Sequence, residues 1–281
     1  ARSVDEAVAL LGEHGDDAKL LAGGHSLIPL LKLRFAQPKH LIDVRKIPNL
    51  AGIREDEGSI VIGAATTHAQ IERSSLIERR LPILSEVAHV IGDPLVRNMG
   101  TVGGSLAHAD PGADFPAAML VLGAEMRAIG PRGSRTIAAD DFFLDLLSTA
   151  LAPNEILTEI RIPVPRAGTG GAYAKFRHPA SGYALIGAAA LVTRDSGGEI
   201  RDARVALTGV GTRAARARGA EQALAGKSAD EAIIADAASR VAEGLEPRAD
   251  AHGSVEYKTH LAVVYARRAI TLAVERAAGR T

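Results

Sequence analysis

A glycine-rich stretch from Asn98 to Pro116, NMGTVGGSLAHADPGADFP, is the feature that most constrains what this chain can fold into. We call it the second cradle; its small residues include Thr101, Gly103, Gly104 and Ser105. Such residues predict a turn whose backbone can approach a ligand closely, since glycine has no Cβ and tolerates positive φ. Successive N–H groups in a turn of this kind form an anion-binding nest. The stretch therefore favours a ligand that carries a diphosphate.

Another glycine pair follows a strand-like apolar run in Lys19–Leu27, KLLAGGHSL, which we call the first cradle. A helix is expected to follow it, because Ser26 is a suitable N-cap and Pro29 then falls in the first turn. Neither cradle contains the GxGxxG of a dinucleotide fingerprint or the GxxxxGK[ST] of a P-loop. Either glycine pair alone is more typical of an ordinary tight turn. The hypothesis that both face one ligand rests on their occurring together.

Composition excludes several classes of function. The chain has no cysteine, which rules out disulfides, cysteine nucleophiles, thiolate zinc sites and cysteine-ligated iron–sulfur clusters. Its 33 basic and 33 acidic residues balance, and aromatic residues make up 3%, so a nucleic-acid partner is not expected. Apolar runs fall short of the ~20 residues of a spanning helix, and no signal-like segment opens the sequence. We expect a cytoplasmic protein.

Local patterns predict an α+β protein. Ser3 and Glu6 form a capping-box pattern ahead of a helix that ends near residues 12–15, and Thr67 and Pro82 begin two further helices. Hairpins are predicted over residues 53–63 and 125–137, and Asp114 is a candidate N-cap for an apolar helix from Phe115. Proline and glycine between residues 163 and 171 mark a domain boundary. Three strands, residues 172–177, 184–192 and 200–208, and alanine-rich helices follow it.

The segments AGGHSLIPLLKLR (Ala22 to Arg34) and NMGTVGGSLAHADPGADFP, with NEILTEIRIPVP, YAKFR and SGY further on, resemble the FAD-binding medium subunits of the molybdenum hydroxylases. Within this xanthine dehydrogenase superfamily the carbon monoxide dehydrogenase branch is the most similar. The resemblance implies a two-subdomain PCMH-type FAD-binding domain over residues 1–166, with subdomains of about 1–50 and 51–166. A smaller α+β C-terminal domain, a three-stranded sheet plus helices, is implied over residues 167–281.

The resemblance also implies which residues hold a non-covalent FAD. Asp114 would accept a hydrogen bond from a hydroxyl group of FAD. Lys175 would stabilise negative charge on the reduced ring, and Tyr183 would pack on the isoalloxazine. Leu157 would touch the adenine or the ring edge, although burial in a strand explains it equally well. The contacts with the diphosphate and adjacent flavin would come from Leu20, Leu21, Ala22, Gly23, Gly24, His25, Ser26, Leu27, Gly100, Thr101, Gly103, Gly104 and Ser105.

Histidine chemistry is not expected in this site. A GGH turn also occurs in flavoproteins that bind FAD covalently, but the sequence around His25 resembles the non-covalent family. His108 with Asp110 suggests a metal or acid–base pair, yet metal sites need three or more convergent ligands. The remaining histidines, His68 among them, are scattered, so neither a metal site nor a catalytic residue is predicted.

The function implied by the resemblance is electron transfer within a larger oxidoreductase. A large subunit with a molybdenum–pterin centre would oxidise the substrate, and a small subunit with two [2Fe–2S] clusters would deliver electrons to FAD here. The expected assembly is a dimer of heterotrimers, a heterohexamer, with a quinone or membrane-bound acceptor that places it at the inner face of the membrane. Carbon monoxide is the first substrate hypothesis. Open alternatives are the FAD subunit of an aldehyde or N-heterocycle hydroxylase, a stand-alone flavin oxidase, and an assembly subunit without flavin.

Overall fold

The computed structural model describes residues 1–279, so residues 280–281 of the predicted second domain lie outside it. The first part of the chain is a small α/β unit in which two parallel strands pair Ala18 with His40 and Leu21 with Asp43. Its helix begins as predicted, because Ser3 Oγ accepts a hydrogen bond from the N–H of Glu6 at 3.1 Å. The elements are α1 Val4–His14, β1 Ala18–Leu21, α2 Leu27–Lys32 and β2 His40–Asp43.

A five-stranded antiparallel sheet organises the next part of the chain, in the order β3-β4-β9-β5-β6. Both predicted hairpins are present in it. Glu57 and Gly58 form the first turn with φ of 46° and 73°, the left-handed conformation that a two-residue hairpin loop needs. The strands are β3 Ile53–Asp56, β4 Ser59–Gly63, β5 Glu125–Gly130, β6 Gly133–Ala138 and β9 Ile156–Pro163, with a small separate hairpin of β7 Phe143–Asp145 and β8 Ser148–Thr149.

Short helices cover this sheet and connect its strands. Thr67 caps the first of them in a full capping box with Gln70, as its position predicted. The helices are α3 His68–Glu72, α4 Ser75–Arg80, α5 Pro82–His89, α6 Pro94–Met99, α7 Val102–His108, α8 Phe115–Leu122 and α9 Ala139–Phe142. Helix α8 is buried along its whole length, so it serves as the centre of the core.

The last part of the chain is a meander of antiparallel strands packed against helices. The three predicted strands are present, and a two-residue strand that was not predicted pairs with the third. The elements are β10 Thr169–Arg177, β11 Ala184–Arg194, β12 Ile200–Thr208, β13 Ala215–Arg216, α10 Arg218–Leu224, α11 Glu231–Ser239 and α12 Val255–Ala277. The long α12 lies across β10 and β11, and alanines at its buried positions allow a close approach.

Two apolar clusters form the interior. One lies around the five-stranded sheet and α8, and the other lies between the β10–β13 sheet and the C-terminal helices. Helix α8 also packs on β11 and β12, which joins the two parts. Along residues 1–279, every helix is either too short or too polar to cross a bilayer.

Candidate functional site

A cavity of about 560 Å³ lies where the first α/β unit, the five-stranded sheet and the C-terminal part meet. This volume is within the range that small-molecule and cofactor sites occupy. Both cradles open into it. The predicted site residues in its wall are Leu20, Ala22, Gly23, Gly24, His25, Ser26, Leu27, Gly100, Thr101, Gly103, Gly104, Ser105, Asp114, Leu157 and Tyr183. The wall that residues 1–279 form does not include Leu21 or Lys175.

The first cradle presents unpaired backbone donors. It leaves β1 through Ala22 and turns at Gly24, whose φ of 77° is the positive value that glycine tolerates. Within the described residues, the backbone N–H groups from Gly23 to Leu27 donate to no protein acceptor. Ser26 precedes α2 as predicted, but in the described chain its side chain makes no capping hydrogen bond. The cradle therefore offers a run of free N–H groups at the cavity wall.

The second cradle is built differently from the predicted open turn. Thr101 caps α7 by accepting from the N–H of Gly104 at 3.1 Å, so both glycines lie in the first turn of a helix. The N–H of Gly103 donates to the carbonyl of Ala64 at 2.9 Å, and Val102 and Ser105 also donate to backbone carbonyls. These N–H groups are already satisfied within the protein. The prediction of a free anion nest here is wrong, and the segment contributes close packing instead.

Asp114 is at the centre of a buried polar cluster. Its carboxylate accepts from Lys175 Nζ at 2.8 Å and from the Tyr173 hydroxyl at 2.6 Å, and the two charged side chains are 6% and 3% exposed. Burial raises the pKa of Asp114, and the ammonium of Lys175 opposes that rise. Asp114 precedes α8, but no side-chain capping bond forms in the described chain, because the carboxylate faces Lys175 and Tyr173. Lys175 therefore does not line the cavity that residues 1–279 form but makes an ion pair with Asp114, which does.

Tyr183 and Leu157 both line the cavity but differ in their exposure to solvent. Tyr183 is 44% exposed. The part of its side chain that is buried raises the pKa of the hydroxyl, and the nearby Asp110 carboxylate raises that pKa further. Leu157 is buried on β9, opposite Ala128 of β5, and still contributes to the wall. Both side chains give the cavity wall apolar surface.

His68 belongs to the cavity wall although no sequence pattern selected it. It is the first residue of α3 and is 6% exposed, and burial, with His25 second, lowers its pKa to about 4. Its Nδ1 is buried without a hydrogen-bond partner among the described residues. The only signal was its place directly after the Thr67 cap, which does not reveal a cavity. Across residues 1–279 no three acidic or histidine side chains converge as metal ligands.

The wall as a whole fits a dinucleotide cofactor such as FAD. Free N–H groups suit a diphosphate, and an acidic oxygen at Asp114 suits a hydroxyl group. Apolar surface at Leu157, Tyr183 and Leu147 suits aromatic rings. The arrangement can bind and orient such a ligand.

Comparison with known proteins agrees with this fit. Residues 1–165 match the family described as "FAD binding domain in molybdopterin dehydrogenase", and residues 171–273 match "CO dehydrogenase flavoprotein C-terminal domain". The chain is 46% identical to the carbon monoxide dehydrogenase medium chain of Hydrogenophaga pseudoflava, over 99% of this chain and 96% of the relative. It is 39% identical to the 6-hydroxypseudooxynicotine dehydrogenase complex subunit alpha of Paenarthrobacter nicotinovorans, over 99% and 94%.

A solved structure shares the fold over almost the whole chain. Carbon monoxide dehydrogenase from Hydrogenophaga pseudoflava, in a form that lacks the Mo-pyranopterin moiety of the molybdenum cofactor, superposes with a TM-score of 0.95. The identity is 47%, over 98% of this chain and 96% of that chain. The mixed α/β architecture with a flavoprotein C-terminal part is therefore confirmed.

Proposed function

The chain belongs to the FAD-binding flavoprotein subunits of molybdenum-containing dehydrogenases, and from this membership we propose that it carries FAD and passes electrons from a partner subunit to an acceptor. The observation that carries the proposal is one cavity lined by both cradles, with the unpaired N–H groups of Gly23 to Leu27 in its wall. Bound FAD supplies the redox chemistry, and the chain's residues bind and orient it.

Each part of the wall has a proposed task. The free N–H groups of the first cradle bind the diphosphate, because a run of donors is what an anion needs in place of water. Asp114 accepts from a ribityl or ribose hydroxyl, and Lys175 keeps that carboxylate oriented through their 2.8 Å contact. Leu157 and Tyr183 pack against ring surfaces and exclude water. Binding is non-covalent, with His25 as a wall residue only.

The second cradle sets the shape of the site. Gly103 lies so close to Ala64 that a Cβ on residue 103 would be 2.5 Å from the Ala64 carbonyl oxygen. The remaining predicted residues, Leu20, Leu21, Ala22, Gly100, Thr101, Gly104 and Ser105, then complete the wall or support it.

The same premise assigns the rest of the reaction to other chains. With no cysteine, this chain cannot ligate an iron–sulfur cluster, so the [2Fe–2S] clusters belong to a small subunit and the molybdenum–pterin to a large one. Carbon monoxide is the favoured substrate of the complex, because identity is higher to the carbon monoxide dehydrogenase medium chain than to the nicotine-derivative enzyme subunit. We further propose a dimer of heterotrimers in the cytoplasm that reduces a quinone or another membrane-bound acceptor.

Domain limits are part of the proposal. We place the FAD-binding domain at residues 1–166, with subdomains of about 1–50 and 51–166, and the C-terminal domain at residues 167–281. The change from the five-stranded sheet to the β10–β13 sheet between Pro163 and Thr169 supports this division.

Two measurements test the proposal. Purification from the native source through a tag on this chain is expected to recover two further subunits with molybdenum, iron and flavin absorbance. Acid precipitation is expected to release all FAD into the supernatant, since no covalent bond holds it. Recovery of this chain alone, yellow and active as an oxidase, would contradict the proposal, and so would a full chain that does not bind added FAD.

A further inference from the structure

His68 is held at the boundary between the two cradles. Its backbone N–H donates to the carbonyl of Gly100 at 2.9 Å, which fixes the start of α3 against the second cradle. Its ring lies 5.1 Å from the ring of Phe115, which is fully buried. Packing and backbone bonding therefore hold the imidazole in the cavity wall.

The polar atoms of this ring have no use within the protein. In residues 1–279 the His68 side chain makes no hydrogen bond, and Nδ1 is shielded from solvent as well. Burial lowers the pKa of His68 to about 4, so near pH 7 the ring is neutral with one donor and one acceptor. An orphaned buried N–H is rarer than an orphaned acceptor. We therefore assign the proton to Nε2 and leave Nδ1 as the unpaired acceptor.

The space beside Nε2 is kept open by a missing side chain. A Cβ on Gly100 would lie 2.8 Å from Nε2 and 2.9 Å from Cδ2 of the same ring. Any other residue at position 100 would therefore cover this edge of the imidazole. Because Gly100 is itself part of the cavity wall, the edge that carries the donor stays accessible to a ligand.

We propose that His68 is a ligand-binding residue whose Nε2–H donates a hydrogen bond to a diphosphate oxygen of the bound dinucleotide. The inference rests on the proposed function, since it takes FAD as the ligand of this cavity. A diphosphate oxygen is the best acceptor in such a ligand, because hydrogen bonds to charged oxygens are about twice as strong as neutral ones. The donor then adds to the free N–H groups of the first cradle.

Two variants of the full chain separate this role from a structural one. His68→Leu keeps an apolar contact with Phe115 and removes both nitrogens, whereas His68→Gln keeps an N–H donor at similar reach. We expect His68→Leu to weaken FAD binding by about tenfold to a hundredfold, the range for a hydrogen bond to a charged group. We expect His68→Gln to stay within about threefold of the unchanged chain.

Stability of the FAD-free protein gives the independent readout. Removing an unpaired buried polar group is neutral or stabilising, so the melting temperature of ligand-free His68→Leu should equal or exceed that of the unchanged chain. A packing role predicts the opposite, a lower melting temperature in both variants. His68→Leu is therefore expected to lower the affinity for FAD without lowering the ligand-free melting temperature.

ADP and riboflavin locate the contact. ADP, which carries the diphosphate without the flavin, should lose affinity for His68→Leu by the same factor as FAD, and riboflavin should lose none. Unchanged FAD binding in His68→Leu overturns the inference, as does equal weakening in both variants or a loss confined to riboflavin. Failure of the proposed function itself would be recognised separately, because the unchanged chain would then not bind FAD.

Discussion

The buried pair of Asp114 and Lys175 gives the sharpest test of how this site is held together. The two side chains meet at 2.8 Å with 6% and 3% exposure, and they join the start of α8 to strand β10. Lys175→Met keeps the length and apolar stem of the side chain but removes the charge. The carboxylate of Asp114 is then left buried with Tyr173 as its remaining partner. Removing one member of such a pair costs about 3–5 kcal/mol of unfolding free energy.

The cost should depend on pH, and its sign follows from the shift at Asp114. Burial raises the pKa of Asp114, and Lys175 is the first group that opposes the rise, so Lys175→Met raises that pKa further. When the pKa of a carboxyl is higher in the folded state than its unfolded value near 3.8, the folded protein loses stability as the pH rises from that value through the folded pKa. Each unit of separation contributes about 1.4 kcal/mol. The variant should therefore be penalised more at pH 8 than at pH 5.

Urea unfolding of the full chain at pH 5 and pH 8 measures both effects. Lys39→Met is the matched control, because Lys39 and Asp17 also meet at 2.8 Å but are 71% and 51% exposed, so no measurable loss is expected. The double variant Asp114→Leu with Lys175→Met should recover most of the stability, since it leaves no buried charge. Equal losses in Lys175→Met and Lys39→Met, or a loss that does not change between the two pH values, would refute the reasoning.

Three further predictions concern the cradles and their supports. Gly103→Ala should lower both the melting temperature and the affinity for FAD, because the added Cβ would be 2.5 Å from the carbonyl oxygen of Ala64. Gly12→Ala is the control, since open space surrounds Gly12, and it should lower neither. Equal effects of the two substitutions would contradict this prediction. Thr67→Ala should lose about 1 kcal/mol of unfolding free energy, measured by thermal unfolding, because the capping box is removed. Ser26→Ala should lose none, because its side chain makes no capping hydrogen bond in the described chain, and a comparable loss there would contradict this prediction. Thr208→Val should weaken FAD binding severalfold in a titration, because the buried hydroxyl donates to the backbone of the second cradle, and unchanged binding would exclude that support.

The sequence predicted the parts of the fold that depend on local patterns. The hairpins over residues 53–63 and 125–137 and the helix starts at Ser3 and Thr67 were predicted correctly, because each depends on residues close together in the chain. The helices at residues 94–99 and 102–108 were missed. Glycine disfavours helix interiors, and both helices are shorter than the length at which helices are stable alone. The caps at Asp93 and Thr101 and the surrounding packing decide these segments.

Contacts across long separations could not be read from the sequence. Asp114 and Lys175 are 61 positions apart, and each had a plausible local role, as a helix cap and as a charge beside the flavin. The structure shows that their charges face each other. His68 was missed for the same reason. Its proposed role in ligand binding depends on Gly100, 32 positions away, leaving one edge of the imidazole ring uncovered.

The C-terminal part contributes to the site more than its own sequence suggests. The loop between α7 and α8 holds Asp114 at the cavity, and it is hydrogen-bonded to the β10–β13 sheet. The N–H of Gly209 donates to the carbonyl of Pro111 at 2.7 Å, and Thr208 Oγ1 donates to the carbonyl of Ala113 at 2.8 Å. Lys175 adds the buried ion pair. One wall of the cavity is therefore positioned by strands β10 and β12, so a change in how the two parts pack would alter the cavity without changing any residue that lines it.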